Sequence, residues 1–251
     1  MIELQAIQVT FNPGTPLESL ALRGIDLQIP AGQFVTVIGS NGAGKSTLLN
    51  VLGGGIIPQQ GRVKIEDQIV TRWPVAKRSP LVSRVFQNPL LGSCADLTVE
   101  ENLALAAQRG QRRGFGGALK TARRQRFRDR LAQLGLGLEN RLGDRMGLLS
   151  GGQRQAICLL MATLADHKIL LLDEHTAALD PKTGNEVLRI TKQLVAEQNL
   201  TTLMVTHSMA QALAVGDRTL MLHEGQIIWD VAGNERAQFS VEDLLGRFGA
   251  L

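Results

Sequence analysis

The sequence predicts an α/β fold: a mainly parallel sheet, an antiparallel β subdomain on the N-terminal side, and an inserted α-helical subdomain. Three observations predict it. The β-branched run Phe34-Val35-Thr36-Val37-Ile38 and the apolar run Ile169-Leu170-Leu171-Leu172 are of the kind that strands buried on both faces show. These runs alternate with helical patterns, the order that gives crossover units and a parallel sheet with ligand sites at the carboxyl ends of its strands. Residues 88 to about 160 break that alternation and read as helical.

In chain order, residues 2–9 are strand-like and Asn12-Pro13-Gly14 is a turn. Residues 25–29 alternate again until Pro30-Ala31-Gly32 breaks them. The β-branched run at 34–38 leads into the glycine loop Gly39-Ser40-Asn41-Gly42-Ala43-Gly44-Lys45-Ser46, and residues 46–52 then read as a helix. Residues 61–70 read as a hairpin around Glu66-Asp67, and 81–86 as a strand ending at Gln87. Within the insertion, 98–108 is helical behind a capping box of Thr98 and Glu101. The stretch 127–134 is helical too, and Gly114-Phe115-Gly116-Gly117 between them is expected to be flexible. Ser150 heads a helix to 164, 169–172 is a buried strand ending in Asp173-Glu174, and 182–197 is an amphipathic helix. A strand over 201–206 ends at His207, and a hairpin turning at Glu224-Gly225 closes the sheet.

The bulk properties exclude several classes. The 251 residues suffice for one large domain, and an apolar content of 44% is ordinary for a globular chain. No run approaches the roughly 20 apolar residues that cross a bilayer. Met1-Ile2-Glu3-Leu4-Gln5 lacks the layout of a secretion signal, so a cytosolic protein is expected. Cys94 and Cys158 lack metal-ligand spacing and read as small buried residues. The four histidines lack ligand spacing as well. Net charge is only +4, yet nine cations from Arg109 to Arg130 face the single acid Asp129. A solvated face is the plain reading; an anionic membrane surface or nucleic acid is the functional one.

The chemistry sits at strand ends. Backbone N–H groups of the glycine loop and the start of the following helix suit a polyphosphate such as ATP. Lys45 is expected to reach the β- and γ-phosphates, Ser46 to ligate Mg²⁺, and Thr47 to add a hydroxyl near the α-phosphate. Asp173 at the end of an apolar strand suits a Mg²⁺ anchor, and Glu174 beside it a general base facing a water; a pair capping the next helix is the alternative. Gln87 is placed for Mg²⁺ or the attacking water, and His207 for the γ-phosphate, although neither is specific alone. Ser150-Gly151-Gly152-Gln153 opens a second helix suited to an anion. One active site needs one phosphate loop, so this second start points to the γ-phosphate of another protomer, arranged head to tail.

Together these motifs resemble the nucleotide-binding subunit of an ATP-binding cassette transporter of the bacterial importer type, over essentially the whole chain. The resemblance implies one P-loop NTPase domain over 1–251, with 1–87 and 161–251 forming a RecA-like core plus β subdomain and 88–160 a helical subdomain. In that family's terms Gly39 to Thr47 is the Walker A loop, Gln87 the Q-loop, Leu149 to Gln153 the signature, and Ile169 to Asp173 the Walker B strand. Glu174 is then the catalytic glutamate, Asp180 lies in the D-loop, and His207 is the switch histidine. Two residues depart from the pattern. The aromatic that stacks on adenine has only Phe11 as a candidate, for which a strand-core role is an equal alternative; and His175 follows Glu174 where the family has Pro, leaving backbone stiffness beside the base in question. The chain stops soon after the sheet, so no fused regulatory domain is expected. The resemblance implies ATP and Mg²⁺ as ligands, a second copy and a membrane permease as partners, a solute-binding protein as indirect partner, and no nucleic acid. It implies a place on the cytoplasmic face of the inner membrane, with an amino-acid-like solute suggested by Gln87-Asn88-Pro89 and Asp173-Glu174-His175-Thr176. A soluble ATPase of a cofactor-assembly complex is the alternative.

Overall fold

The computed structural model describes residues 1–110 and 121–249. The N-terminal strands form an antiparallel sheet in the order β2-β1-β4-β5: β1 (Ile2–Phe11), β2 (Ser19–Ile29), β4 (Gln60–Ile65) and β5 (Gln68–Ile69). A second sheet runs β10-β9-β3-β8-β7-β6 and contains β3 (Phe34–Gly39), β6 (Val82–Val85), β7 (Ile169–Asp173), β8 (Thr201–Val205), β9 (Arg218–His223) and β10 (Gln226–Ala232). Its pairs are parallel from β6 through β9, and β10 alone turns back antiparallel on β9. The connections are α1 (Lys45–Gly53), α2 (Val75–Arg78), α3 (Val99–Ala107), α4 (Thr121–Ala132), α5 (Gly151–Ala162), α6 (Pro181–Gln198), α7 (Met209–Ala214), α8 (Gly233–Arg236) and α9 (Val241–Gly249). The α/β fold read from the sequence is the fold observed.

The strands of the parallel sheet are apolar on both faces because both faces are covered. Alternate residues still separate, as the two-residue period requires. Leu171, Val35, Val37 and Leu203 pack with α1 and the antiparallel sheet, whereas Leu170, Leu172 and Met204 pack with the helices of the 99–162 segment and α6. The capping box at Thr98 is present, with Thr98 N–H and Oγ1 both donating to Glu101.

Arg78 is fully buried and holds the two sheets' connection together. Its guanidinium donates to the carbonyls of Val51 and Leu52 at the end of α1 and to those of Val70, Thr71 and Trp73 after β5. The Val51 and Val70 carbonyls also accept the N–H groups of Gly54 and Trp73, so the planar cation supplies the donor that the Leu52, Thr71 and Trp73 carbonyls otherwise lack. Burial pushes its pKa down to about 10, which leaves it charged at neutral pH.

Several expectations are corrected. Cys94 is exposed and only Cys158 is buried. Helix α4 begins at Thr121 rather than 127, held from outside by an Arg124–Glu100 ion pair at 3.2 Å and from inside by Phe127 and Leu131. The basic segment is in part structural: Arg109 donates to Ser83 Oγ at 2.9 Å. Arg112, Arg113, Lys120 and the glycine-rich piece 114–117 lie outside the described residues.

Candidate functional site

The strand order places β3, β8 and β7 side by side, so their carboxyl ends bring Gly39, Thr206 and Asp173 together although they lie far apart in sequence. The phosphate loop leaves β3 and enters α1 through Gly44, whose φ is 100°. A Cβ there would sit 2.6 Å from the Ala21 carbonyl oxygen, so only glycine allows the loop to close against β2. Lys45 is 6% exposed and folds back across the loop, its Nζ donating to the Gly39 and Ser40 carbonyls at 2.8 Å each. Burial lowers its pKa, and the carboxylates of Glu174 and Asp173 oppose that shift. Ser46 is exposed at the head of α1.

The Asp173 carboxylate receives Arg84 Nη2 at 2.5 Å. Arg84 also donates to Asn50 Oδ1 at 2.7 Å and lies over the Phe86 ring. The next residue, Glu174, has φ 46°. A non-glycine residue in that region persists only where its surroundings fix it. Its N–H donates to the Val205 carbonyl at 3.0 Å, and its Oε1 lies 2.6 Å from His207 Nε2.

His175, which follows the glutamate, is anchored through its side chain. It is 2% exposed, with Nε2 3.0 Å from Thr191 Oγ1 on α6. Because the Thr191 hydroxyl spends its proton on the Val187 carbonyl, it accepts from His175, which fixes the Nε2–H tautomer. Burial pushes the imidazole pKa down to about 4, so the ring is neutral. Thr176 is tied as well, its hydroxyl donating to Gln211 Oε1 on α7 at 2.9 Å.

A cleft of about 510 Å³ lies over these strand ends. Of the residues singled out in the sequence, Phe11, Asn41 to Thr47, Glu174 and His207 line it. Phe11 is 41% exposed at its mouth, so the strand-core role does not hold. Gln87 is exposed just past β6, and Asp173 sits behind the lining with Arg84. Ser150, Gly151, Gly152, Gln153 and Asp180 are not part of the lining. Ser150 and Gln153 form a capping box, and Asp180 caps α6 by accepting from Thr183 N–H at 3.1 Å. Gly152 packs so closely on Thr183 that a Cβ would collide with its methyl group. Sequence reading did not pick out Arg84, Gln211 or the rim pair Arg23–Glu224 at 3.6 Å. Arg84 carried a signal, being a cation inside a short strand otherwise built for burial.

Comparison with known proteins agrees with this geometry. The profile of the family described as ABC transporter matches residues 22–177. The chain is 43% identical over 250 residues to a tyrosine transport ATP-binding protein of Clostridioides difficile, covering 99% of this chain and 98% of that one. It is 38% identical over 205 residues to the thiamine import ATP-binding protein ThiQ of Yersinia pseudotuberculosis, covering 82% of each. Among solved structures, a dimeric post-hydrolysis state of the ATP-binding cassette MJ0796 bound to ADP and Pi superposes with a TM-score of 0.79 at 30% identity, covering 92% of this chain and 98% of that one.

Proposed function

This chain belongs to the ABC transporter family and is an ATPase of it, and on that premise we propose that it powers solute import through a separate membrane permease, working as a head-to-tail pair of identical subunits. The observation that carries the reading is the placement of Lys45 in the phosphate loop and the Glu174–His207 pair on one cleft. ATP lies along that cleft, its base against Phe11, its phosphates on the N–H groups from Gly39 to Thr47 and on Lys45. Glu174 takes a proton from the attacking water while His207, hydrogen-bonded to it, faces the γ-phosphate. Ser150 to Gln153 and Asp180 serve the nucleotide bound by the partner subunit.

Ser46 and Asp173 are hard oxygen donors of the kind Mg²⁺ takes, with Gln87 as a further oxygen, and they fit that ion. When bound, Mg²⁺ neutralises charge on the β- and γ-phosphates. In this reading residues 1–87 and 161–251 act as the nucleotide-binding core and β subdomain, and 88–160 as the helical subdomain that carries motion to the permease. The similarity to a tyrosine transport protein supports an amino-acid-like solute. The relatives named for import support a permease as partner, and the reading is completed by a solute-binding protein and a place at the cytoplasmic face of the inner membrane.

The test has two arms. Glu174→Gln should bind ATP, hydrolyse it about 10²–10⁴-fold more slowly and run as a dimer on gel filtration with ATP. A variant that hydrolyses normally removes Glu174 from its role. A tagged pull-down from detergent-solubilised membranes should recover a multi-span permease; an exclusively soluble partner set would overturn the transport reading in favour of a cofactor-assembly ATPase.

A further inference from the structure

The loops carrying Glu174 and His207 meet on one atom of a residue outside the lining of the cleft. Gln211 Oε1 accepts the hydroxyl of Thr176 at 2.9 Å and the hydroxyl of Thr206 at 3.2 Å. Thr176 lies two residues after Glu174, and Thr206 directly before His207. Both threonines are buried, at 6% and 5% exposure. The directions of both bonds follow from the amide oxygen, which can only accept, so each hydroxyl gives its proton to Gln211; Thr206 Oγ1 accepts the Ser208 N–H at 3.1 Å besides. A carbonyl oxygen has two lone pairs, and here each receives one catalytic loop.

The mount behind this atom is firm. Gln211 N–H donates to Ser208 Oγ at the head of α7. The far end of α7 is held by the buried Thr36 hydroxyl, which donates to the Ala212 carbonyl at 3.2 Å, and by Arg236, which donates to the carbonyls of Ala212, Leu213 and Val215. Thr206 N–H in turn pairs with the Val37 carbonyl of β3. The link therefore joins the base loop to the strand that delivers the phosphate loop. It also addresses a local need, because the left-handed backbone of Glu174 relaxes unless its neighbours are held.

We propose that Gln211 is a positioning residue for hydrolysis, clamping the Glu174 and His207 loops at the spacing that aims the attacking water. The proposal rests on the roles assigned above to Glu174 and His207. Misplacing reacting groups by an ångström costs up to about 10²-fold in rate without touching substrate affinity. A scaffold residue would instead lower stability, affinity and rate together.

The experiment measures steady-state ATP hydrolysis, ATP affinity and melting temperature on the full chain carrying Gln211→Leu, Gln211→Glu, Thr176→Val or Thr206→Val, with Glu174→Gln as the control. Gln211→Leu should lower kcat at least about tenfold with ATP affinity within about twofold. Gln211→Glu, which keeps an acceptor oxygen for both hydroxyls, should recover most of that loss. The near-isosteric valine variants should each lower kcat, and neither should lower it further in the Gln211→Leu background, because the partner atom is already gone. Normal kcat in Gln211→Leu, additive threonine effects, or a parallel fall in affinity and melting temperature would overturn the clamp. If Glu174→Gln itself hydrolyses ATP normally, the assignment of the base has failed; if only the Gln211 and threonine variants are silent, the clamp has failed and the base stands.

Discussion

Replacing His175 by glutamine tests whether the imidazole beside the catalytic glutamate is held neutral by burial. Glutamine keeps an N–H donor for Thr191 and cannot titrate. In the native state burial lowers the His175 pKa to about 4 from an ordinary 6.5. Between those values the unfolded chain binds a proton at this residue and the folded chain does not, so stability rises with pH across the window and is lost as pH falls through it. Near pH 7.5 both states are neutral and the residue contributes no pH dependence. Near pH 4.5 the unfolded imidazole is about two units below its own pKa while the native one is still largely neutral. At about 1.4 kcal/mol per unit, the wild-type chain should lose about 2–3 kcal/mol more than His175→Gln between these two pH values. Urea unfolding of both proteins at each pH, compared by linear extrapolation, reads the difference directly. His167, whose pKa burial also lowers, is present in both proteins and cancels. Equal pH slopes in the two proteins would refute the reasoning, because a solvated or protonated His175 predicts no difference.

Three further outcomes are expected. Lys45→Ala removes the loop's ammonium and should weaken ATP binding at least about tenfold, or about 1.4 kcal/mol, in equilibrium titration; unchanged affinity would remove Lys45 from the site. Arg78→Met strands the carbonyls of Leu52, Thr71 and Trp73, while those of Val51 and Val70 keep a backbone N–H donor, and should cost about 2–4 kcal/mol of unfolding free energy. A loss under 1 kcal/mol by urea unfolding would mean that water reaches them. Gly152→Ala drives a methyl into Thr183 and should lower stability by about 1–3 kcal/mol, with Thr183→Ser in the same chain restoring most of it. Failure of that rescue in thermal melts would show that the glycine is needed for another reason.

The backbone plan was legible because its signals are local. β3 is a short β-branched run and β7 a short apolar one, and Thr98 and Ser150 stand at the helix starts they cap. Helix α4 was read six residues short because Thr121 to Arg126 has no apolar period; what holds that turn is an ion pair to Glu100 on another helix. Helix α7 has six residues and was not foreseen, and with it went Gln211. Arg84 meets Asp173 across 89 positions and Gln211 meets Thr176 across 35, so no window of sequence contains both ends of either contact. His175 was noticed as a departure from proline and as part of the phrase Asp173 to Thr176; its hydrogen bond to α6 is a tertiary event that residue type alone does not announce.

The strand order has a consequence for the birth of the molecule. β3 is buried along its whole length, but its neighbours β8 and β9 begin at Thr201 and Arg218. During N-to-C-terminal synthesis the strand that carries the phosphate loop therefore leaves the ribosome with neither flank available, and more than 160 residues must follow before one arrives. Pairings of such sequence separation form slowly, and an apolar strand with two open edges is a template for wrong partners in the meantime. Translation speed, chaperone supply and growth temperature should thus govern the soluble yield of this protein more than its final stability does. A truncation that ends before Thr201 should go to the insoluble fraction even though it holds every residue of the phosphate loop.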